Sequence, residues 1–191
     1  MATPAPQEPT TYVSFSAEIV PQTTETLIAT MTNLANSGVQ DVCLLLSTPG
    51  GSVMHGLTLY NVLRALPFHL TTHNAGNVNS IGNAIFLAGE QRYACPHSTF
   101  MFHGVGFDVS GGVRLEQKLL RERLDAIEAD QTLIGNIIEE RTNLDPGQVS
   151  DLFLEARTKD TAYAASVGIV HEVRDIDIPP GSPIVSLVFQ R

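Results

Sequence analysis

The sequence predicts an α/β protein built on a mainly parallel sheet. Three observations predict it: strand-like and helix-like stretches alternate over the first hundred residues, the central strands read as continuous apolar runs, and strands give way to helices at turns rich in glycine, serine or asparagine. Alternation of this kind implies right-handed crossovers between parallel strands. A chain of 191 residues can bury one sizeable core, so a single domain is expected over 12–191, after a loose arm over 1–11 rich in proline and threonine.

Tyr12 to Ile19 alternates apolar and polar residues as a strand does, and Thr24 to Ala35 then sets Leu27, Met31 and Leu34 on one helical face. Val42 to Leu46 is a short apolar run suited to a strand buried on both faces. It stops at Ser47-Thr48-Pro49-Gly50-Gly51, after which a helix runs from about Ser52 to just before Pro67. Phe68 to Thr72 repeats the strand. Asn74 to Ser80 reads as a second strand-to-helix turn, Ile81 to Ala88 as a short apolar helix, and Thr99 to Phe102 as a third buried strand.

From Val113 to Arg141, Leu115, Leu119, Leu120, Leu124, Ile127, Leu133, Ile134, Ile137 and Ile138 recur at helical spacing with charged residues between them. One long helix is expected, longer than this sheet needs, so part of its apolar face is available to another subunit. Leu144-Asp145-Pro146 ends it and opens a shorter helix. Thr161 to Val167 is another, closed by Gly168, and a Pro179-Pro180-Gly181 turn separates two strand-like runs in the tail.

Composition narrows the function classes. The net charge of −9 and the presence of only two lysines give no support for binding a phosphate backbone, so nucleic acid is not an expected partner. No apolar run approaches a membrane span, and 1–11 lacks the charged-then-apolar order of a secretory signal. Cys43 and Cys95 match neither a zinc site nor a redox pair, which fits reduced thiols in a cytoplasmic protein. His69 and His73 share one side of a strand but have no carboxylate or cysteine pair near them in sequence, so no metal site is expected. His55, His97 and His171 read as surface or capping residues.

Three features carry chemistry together. Gly50-Gly51 follows a buried strand and lets a ligand approach backbone N–H groups near a helix start. Ser80 sits at the mouth of a short helix, where alone it would be an N-cap. His103 ends a buried strand and precedes Gly104, Gly106, Gly111 and Gly112. Ligand sites in parallel sheets lie beyond the carboxyl ends of the strands, so all three fall on one side. A serine hydroxyl needs a neighbouring base to attack a carbonyl, and the resulting oxyanion needs donors. His103 supplies the base and the N–H groups of Gly51 and Ile81 supply the donors.

At these residues the chain resembles the Clp protease proteolytic subunit. The resemblance is carried by Ser47-Thr48-Pro49-Gly50-Gly51-Ser52-Val53, by Asn79-Ser80-Ile81-Gly82, and by Pro96-His97-Ser98 leading to Phe102-His103, in the same order and separation over roughly Tyr12 to Val173. It implies a spiral of repeated ββα/βαβ units of the ClpP/crotonase-like type with one long protruding helix. It also implies cofactor-free peptide hydrolysis through an acyl-enzyme, with Ser80 as nucleophile, His103 as base and Gly51 with Ile81 as the oxyanion hole. Implied partners are copies of the same chain in rings, possibly stacked through the long helix, a ring ATPase that unfolds substrates, and peptide or protein substrates.

One member departs from the pattern. Counting back from Gly168-Ile169-Val170-His171, which matches the family's Gly-Leu-Val-Asp ending, the aspartate that orients the histidine falls on Ala156. Glu155 is one residue away and Asp160 four, and Glu155 is the favoured third member. Gly104-Val105 also replaces the family's Gln-Pro. Two other functions stay open: a structural or regulatory ring subunit lacking the third triad residue, and a crotonase-type acyl-CoA enzyme, which has no use for a serine at 80 facing a histidine.

Overall fold

The computed structural model describes residues 9–107, 111, 114 and 116–189. Residues 1–8 of the expected arm, Gly112, Val113 and Leu115 at the expected start of the long helix, and the last two residues of the tail lie outside these. The arm's last residue, Thr11, is already the first residue of a strand.

β1 (Thr11–Ser16) leads into α1 (Pro21–Asn36), which starts on a proline at its first position and packs Leu27 and Met31 fully buried against the sheet. β2 (Asp41–Thr48) and α2 (Val53–Ala65) follow, with the Pro-Gly-Gly turn between them. β3 (His69–Asn79) is the long central strand, after which α3 (Gly82–Leu87), β4 (Gln91–Ala94) and β5 (Thr99–Met101) complete the N-terminal half. The rest comprises α4 (Gln117–Arg141), α5 (Pro146–Glu155), β6 (Thr158–Lys159), α6 (Thr161–Ser166), β7 (Glu172–Val173) and β8 (Ile184–Ser186).

The sheet runs β6-β5-β3-β2-β1-β8, with β4 on β3 and β7 on β4, and every pairing except β5 with β6 is parallel. The crossover architecture is therefore the expected one. The stretch Asn74 to Asn79 differs from expectation: it is strand, not turn. Its asparagines look turn-forming because their side chains usually bond their own backbone. Here they reach neighbouring strands instead, Asn74 Nδ2 donating to Thr99 O at 2.8 Å and Asn77 Nδ2 to Thr48 O at 3.2 Å.

The extra length of β3 divides the sheet. Thr71 to Asn74 pairs with β4, whereas Asn77 to Asn79 pairs with β5, so one strand serves two neighbours in succession. That division carries the end of β3, and with it Ser80, to the end of β5. Phe86, Phe100, Val78 and Ile81 pack at this corner with 1% exposure or less.

α4 is buried only near its C-terminal end, at Ile134, Gly135, Ile137 and Ile138. Farther toward its start, Leu120, Leu124 and Leu133 are exposed. Arg92 of β4 is 4% exposed and forms no ion pair with a carboxylate among the described residues. Its guanidinium donates to the carbonyls of Ile169, Gly89, Gly168 and Arg141 at 2.8–3.2 Å. Burial, with Arg141 beside it, pulls its pKa down to about 10. Cys43 and Cys95 are free thiols, and burial pushes that of Cys43 up to about 12.

Candidate active site

The site forms where three strand ends meet. β2 ends at Thr48, which pairs with Val78 of β3, and β3 ends at Asn79, which pairs with Met101 of β5. The turn after β2, the serine after β3 and the histidine two residues beyond β5 are thereby held side by side. Gly51, Ser80, Ile81 and His103 all line one cavity of about 90 Å³, whose apolar wall includes Val53, Phe102, Ile134 and Phe153.

Ser80 has φ 56°, a left-handed conformation that costs a residue with a side chain about 1 kcal/mol or more. Its N–H donates to Met101 O at 2.8 Å, and its carbonyl accepts from Asn83 N at 3.1 Å. The left-handed turn lifts the hydroxyl off the strand axis and into the cavity, so Ser80 is not a helix cap; α3 has no side-chain cap bond. The glycine pair packs directly against it. A Cβ on Gly50 would stand 2.6 Å from Ser80 Cβ, so only glycine admits this approach.

Among the described residues, neither the Gly51 nor the Ile81 N–H has a hydrogen-bond acceptor. Two free backbone donors beside a strained serine are the components of an oxyanion site. Gly51 is fixed by its neighbours: Ile19 N–H donates to Gly50 O at 2.8 Å and Ser52 N–H to Ile19 O at 2.9 Å.

The His103 ring is exposed, with Nδ1 2.7 Å from Gly104 O. A carbonyl oxygen can only accept, so Nδ1 carries the proton and Nε2 of the neutral ring keeps its lone pair. In this state no hydrogen bond joins the ring to Ser80 Oγ among the described residues. Such bonds commonly tighten only when substrate is present. The loop after the histidine is tied down by Gly104 N–H to Phe153 O at 3.0 Å and by Val105 N–H to Gln131 Oε1 at 3.3 Å.

The carboxylates weighed from the sequence are both engaged elsewhere. Glu155 accepts from Lys159 Nζ at 2.8 Å, and that ammonium holds its carboxyl below the usual range. Asp160 caps α6 by accepting from Tyr163 N at 2.8 Å. The antiparallel register sets Phe100 opposite Lys159 and Met101 opposite Thr158. Ala156, the position reached by the motif count, lies two residues before this pairing and ends α5 at φ 49°. That position carries a methyl group.

The histidines away from the site have other partners. His69 Nδ1 lies 3.2 Å from Glu90 Oε2 and His73 Nε2 donates to Arg174 O at 3.1 Å, with Cys95 Sγ 3.6 Å away. His55 Nδ1 meets Ser52 Oγ at 2.8 Å, and His171 Nδ1 accepts from Arg92 N–H at 3.3 Å. No group of three or more potential metal ligands occurs among the described residues. No helix among them is long and apolar enough to cross a membrane. Asn83 and Gln131 went unnoticed in the sequence. Asn83 left one signal, an amide inside the apolar run Ile81 to Ala88.

Comparison with known proteins agrees with this geometry. The family model described as Clp protease matches residues 9–177. An ATP-dependent Clp protease proteolytic subunit 2 from Thermobifida fusca is 30% identical over 141 residues, 70% of this chain and 65% of that protein. A subunit 1 from Corynebacterium jeikeium is 33% identical over 79 residues, covering 42% of its length. The aligned part thus spans less than two thirds of these two relatives. A subunit 2 from Chlamydia trachomatis is 27% identical over 85% of this chain and 78% of its own. Among solved structures, a ClpP1 mutant from Listeria monocytogenes superposes with a TM-score of 0.76 at 21% identity, covering 86% of this chain and 91% of that one. The ClpP protease catalytic domain from Plasmodium falciparum gives 0.73 at 20% identity, over 89% and 88%. The strand ends that gather Ser80, His103 and the Gly50-Gly51 turn are thus set in a ClpP-type fold, and the chain belongs to the Clp protease family.

Proposed function

We propose that the chain is a proteolytic subunit that hydrolyses peptide bonds through an acyl-enzyme, with Ser80 as nucleophile and His103 as general base. The observation that carries this is the convergence on one cavity of a left-handed serine, an imidazole whose Nε2 lone pair is free, and two unpaired backbone N–H groups. Ser80 Oγ bonds to the scissile carbonyl carbon while its proton passes to His103 Nε2. The carbonyl oxygen takes the displaced electron pair and is held by the Gly51 and Ile81 N–H groups. The proton then goes to the leaving amine as the C–N bond breaks, and water, deprotonated by the same ring, releases the acyl group. The apolar wall of the cavity suits an uncharged, apolar substrate side chain.

The Gly104 carbonyl takes over one part of the work that an orienting carboxylate does in a triad, fixing the Nδ1–H tautomer. It stabilises the imidazolium less than a full negative charge would, so turnover is slow for a triad enzyme. The exposed leucines of α4 supply a face for a second copy of the chain. Rings of such copies, an ATPase that feeds them and a cytoplasmic setting are part of the same proposal, which membership of the family supports. The alternative is a structural or regulatory ring subunit, motivated by the alanine at position 156 where the family pattern has an aspartate.

Hydrolysis of an unstructured fluorogenic peptide separates the two. The peptidase predicts turnover that falls to background in Ser80→Ala and His103→Ala. Assembled rings whose residual turnover is the same with and without Ser80 would support the regulatory subunit instead.

A further inference from the structure

Asn83 lies at the start of α3 and is 1% exposed, among Ala84, Ile85 and Phe86, which are fully buried. Its Nδ2 donates to Ser80 O at 3.0 Å and to Met101 O at 2.8 Å, the same Met101 carbonyl that accepts the Ser80 N–H. Both partners are carbonyls, so the NH2 group must face them. The other end of the amide, Oδ1, is then buried with no hydrogen-bond partner. A buried acceptor without a partner costs stability, and an alanine would fit this apolar helix without that cost.

The cost is offset by what the amide holds. Ser80 is in a left-handed conformation that needs its carbonyl fixed, and Met101 lies two residues before His103. We propose that Asn83 is a positioning residue: its side-chain NH2 clamps the turn carrying Ser80 to the strand carrying His103 and so sets the spacing between hydroxyl and imidazole. The kinetic consequence rests on the peptidase assignment above; the clamp itself does not.

The test compares Asn83→Ser, Asn83→Ala and Asn83→Asp in the full chain, below the melting temperature of each. Loss of the clamp in Asn83→Ala lowers kcat for the fluorogenic peptide roughly 10- to 100-fold while KM stays within about twofold, because misplacement of the reacting groups affects the chemical step. Asn83→Ser, which keeps one donor, lies between wild type and Ala. Asn83→Asp, which turns acceptors toward two carbonyls, is the worst. In parallel, exchange of the Ser80 amide hydrogen accelerates at least about tenfold in Asn83→Ala relative to the Leu44 amide of β2, whereas general destabilisation speeds both together. If wild type neither hydrolyses peptide nor reacts with a fluorophosphonate, the peptidase assignment falls, and the Ser80 exchange still decides the clamp. Unchanged kcat in Asn83→Ala, or Ser80 exchange that tracks Leu44, overturns the proposal. Should Asn83→Ala not fold, Asn83→Ser decides by the same two measurements.

Discussion

Gly51→Ala is the substitution whose effect can be worked furthest from the structure. At φ 145° Gly51 occupies a region that residues with a side chain rarely enter, at a cost on the order of 1–3 kcal/mol. A Cβ there would stand 2.9 Å from both Ile19 N and Ile19 C, and well inside van der Waals contact distance of Ile19 O. These are backbone atoms fixed by the Ile19–Gly50 and Ser52–Ile19 hydrogen bonds, so they cannot rotate away as a side chain would. The Gly51 peptide has to move, and its N–H moves off the oxyanion position. Loss of one such donor lowers kcat about 100- to 1000-fold. Peptide turnover and the rate of fluorophosphonate reaction should therefore fall together, in protein that circular dichroism shows is folded. A Gly51→Ala chain that is folded and retains wild-type rates would refute the assignment of this N–H to the oxyanion.

Further substitutions probe other parts of the molecule. Ala156→Asp introduces a carboxylate where the motif count puts the family's aspartate, at a left-handed position that aspartate tolerates well; peptide turnover should rise about tenfold or more, and an unchanged rate would show that position 156 does not address the ring. Arg92→Met keeps the bulk but takes the guanidinium from the Ile169, Gly168 and Arg141 carbonyls, Gly89 O still accepting from Arg141 Nη2, costing about 3 kcal/mol and lowering Tm by roughly 6–12 °C in a thermal melt. Burial holds the pKa values of His73 and His171 below the ordinary histidine value, so below about pH 6.5 the unfolded chain binds more protons than the folded one. Stability should therefore fall as pH drops from about 6.5 until the folded-state rings also protonate. Substituting His73→Gln and His171→Gln should flatten that part of the profile, and a slope left intact would contradict this origin.

Much of this could be read from residues alone because the signals were local. Continuous apolar runs marked β2 and β5, and helical spacing marked α1, α2 and α4. The candidate-site turns were legible because glycine pairs and a serine after a strand have few local explanations that also agree with a histidine after the next strand. The second half of β3 was hidden because its asparagines are satisfied by other strands, which only the fold brings near. β4 was hidden by Arg92, whose charge looks solvent-facing until carbonyls from four separate residues are seen around it. The choice between Glu155 and Ala156 as the residue facing His103 depends on a one-residue register in a two-residue strand, which spacing in the chain cannot resolve. The structure adds that Glu155 is engaged by Lys159.

Peptide mass mapping after reaction with a fluorophosphonate is the most direct measurement of the central claim, that Ser80 is the nucleophile and His103 its general base. One adduct per chain is expected, on the peptide containing Ser80, absent from Ser80→Ala and strongly reduced in His103→Ala. An adduct on another residue, or one on Ser80 that forms just as fast without His103, would contradict it.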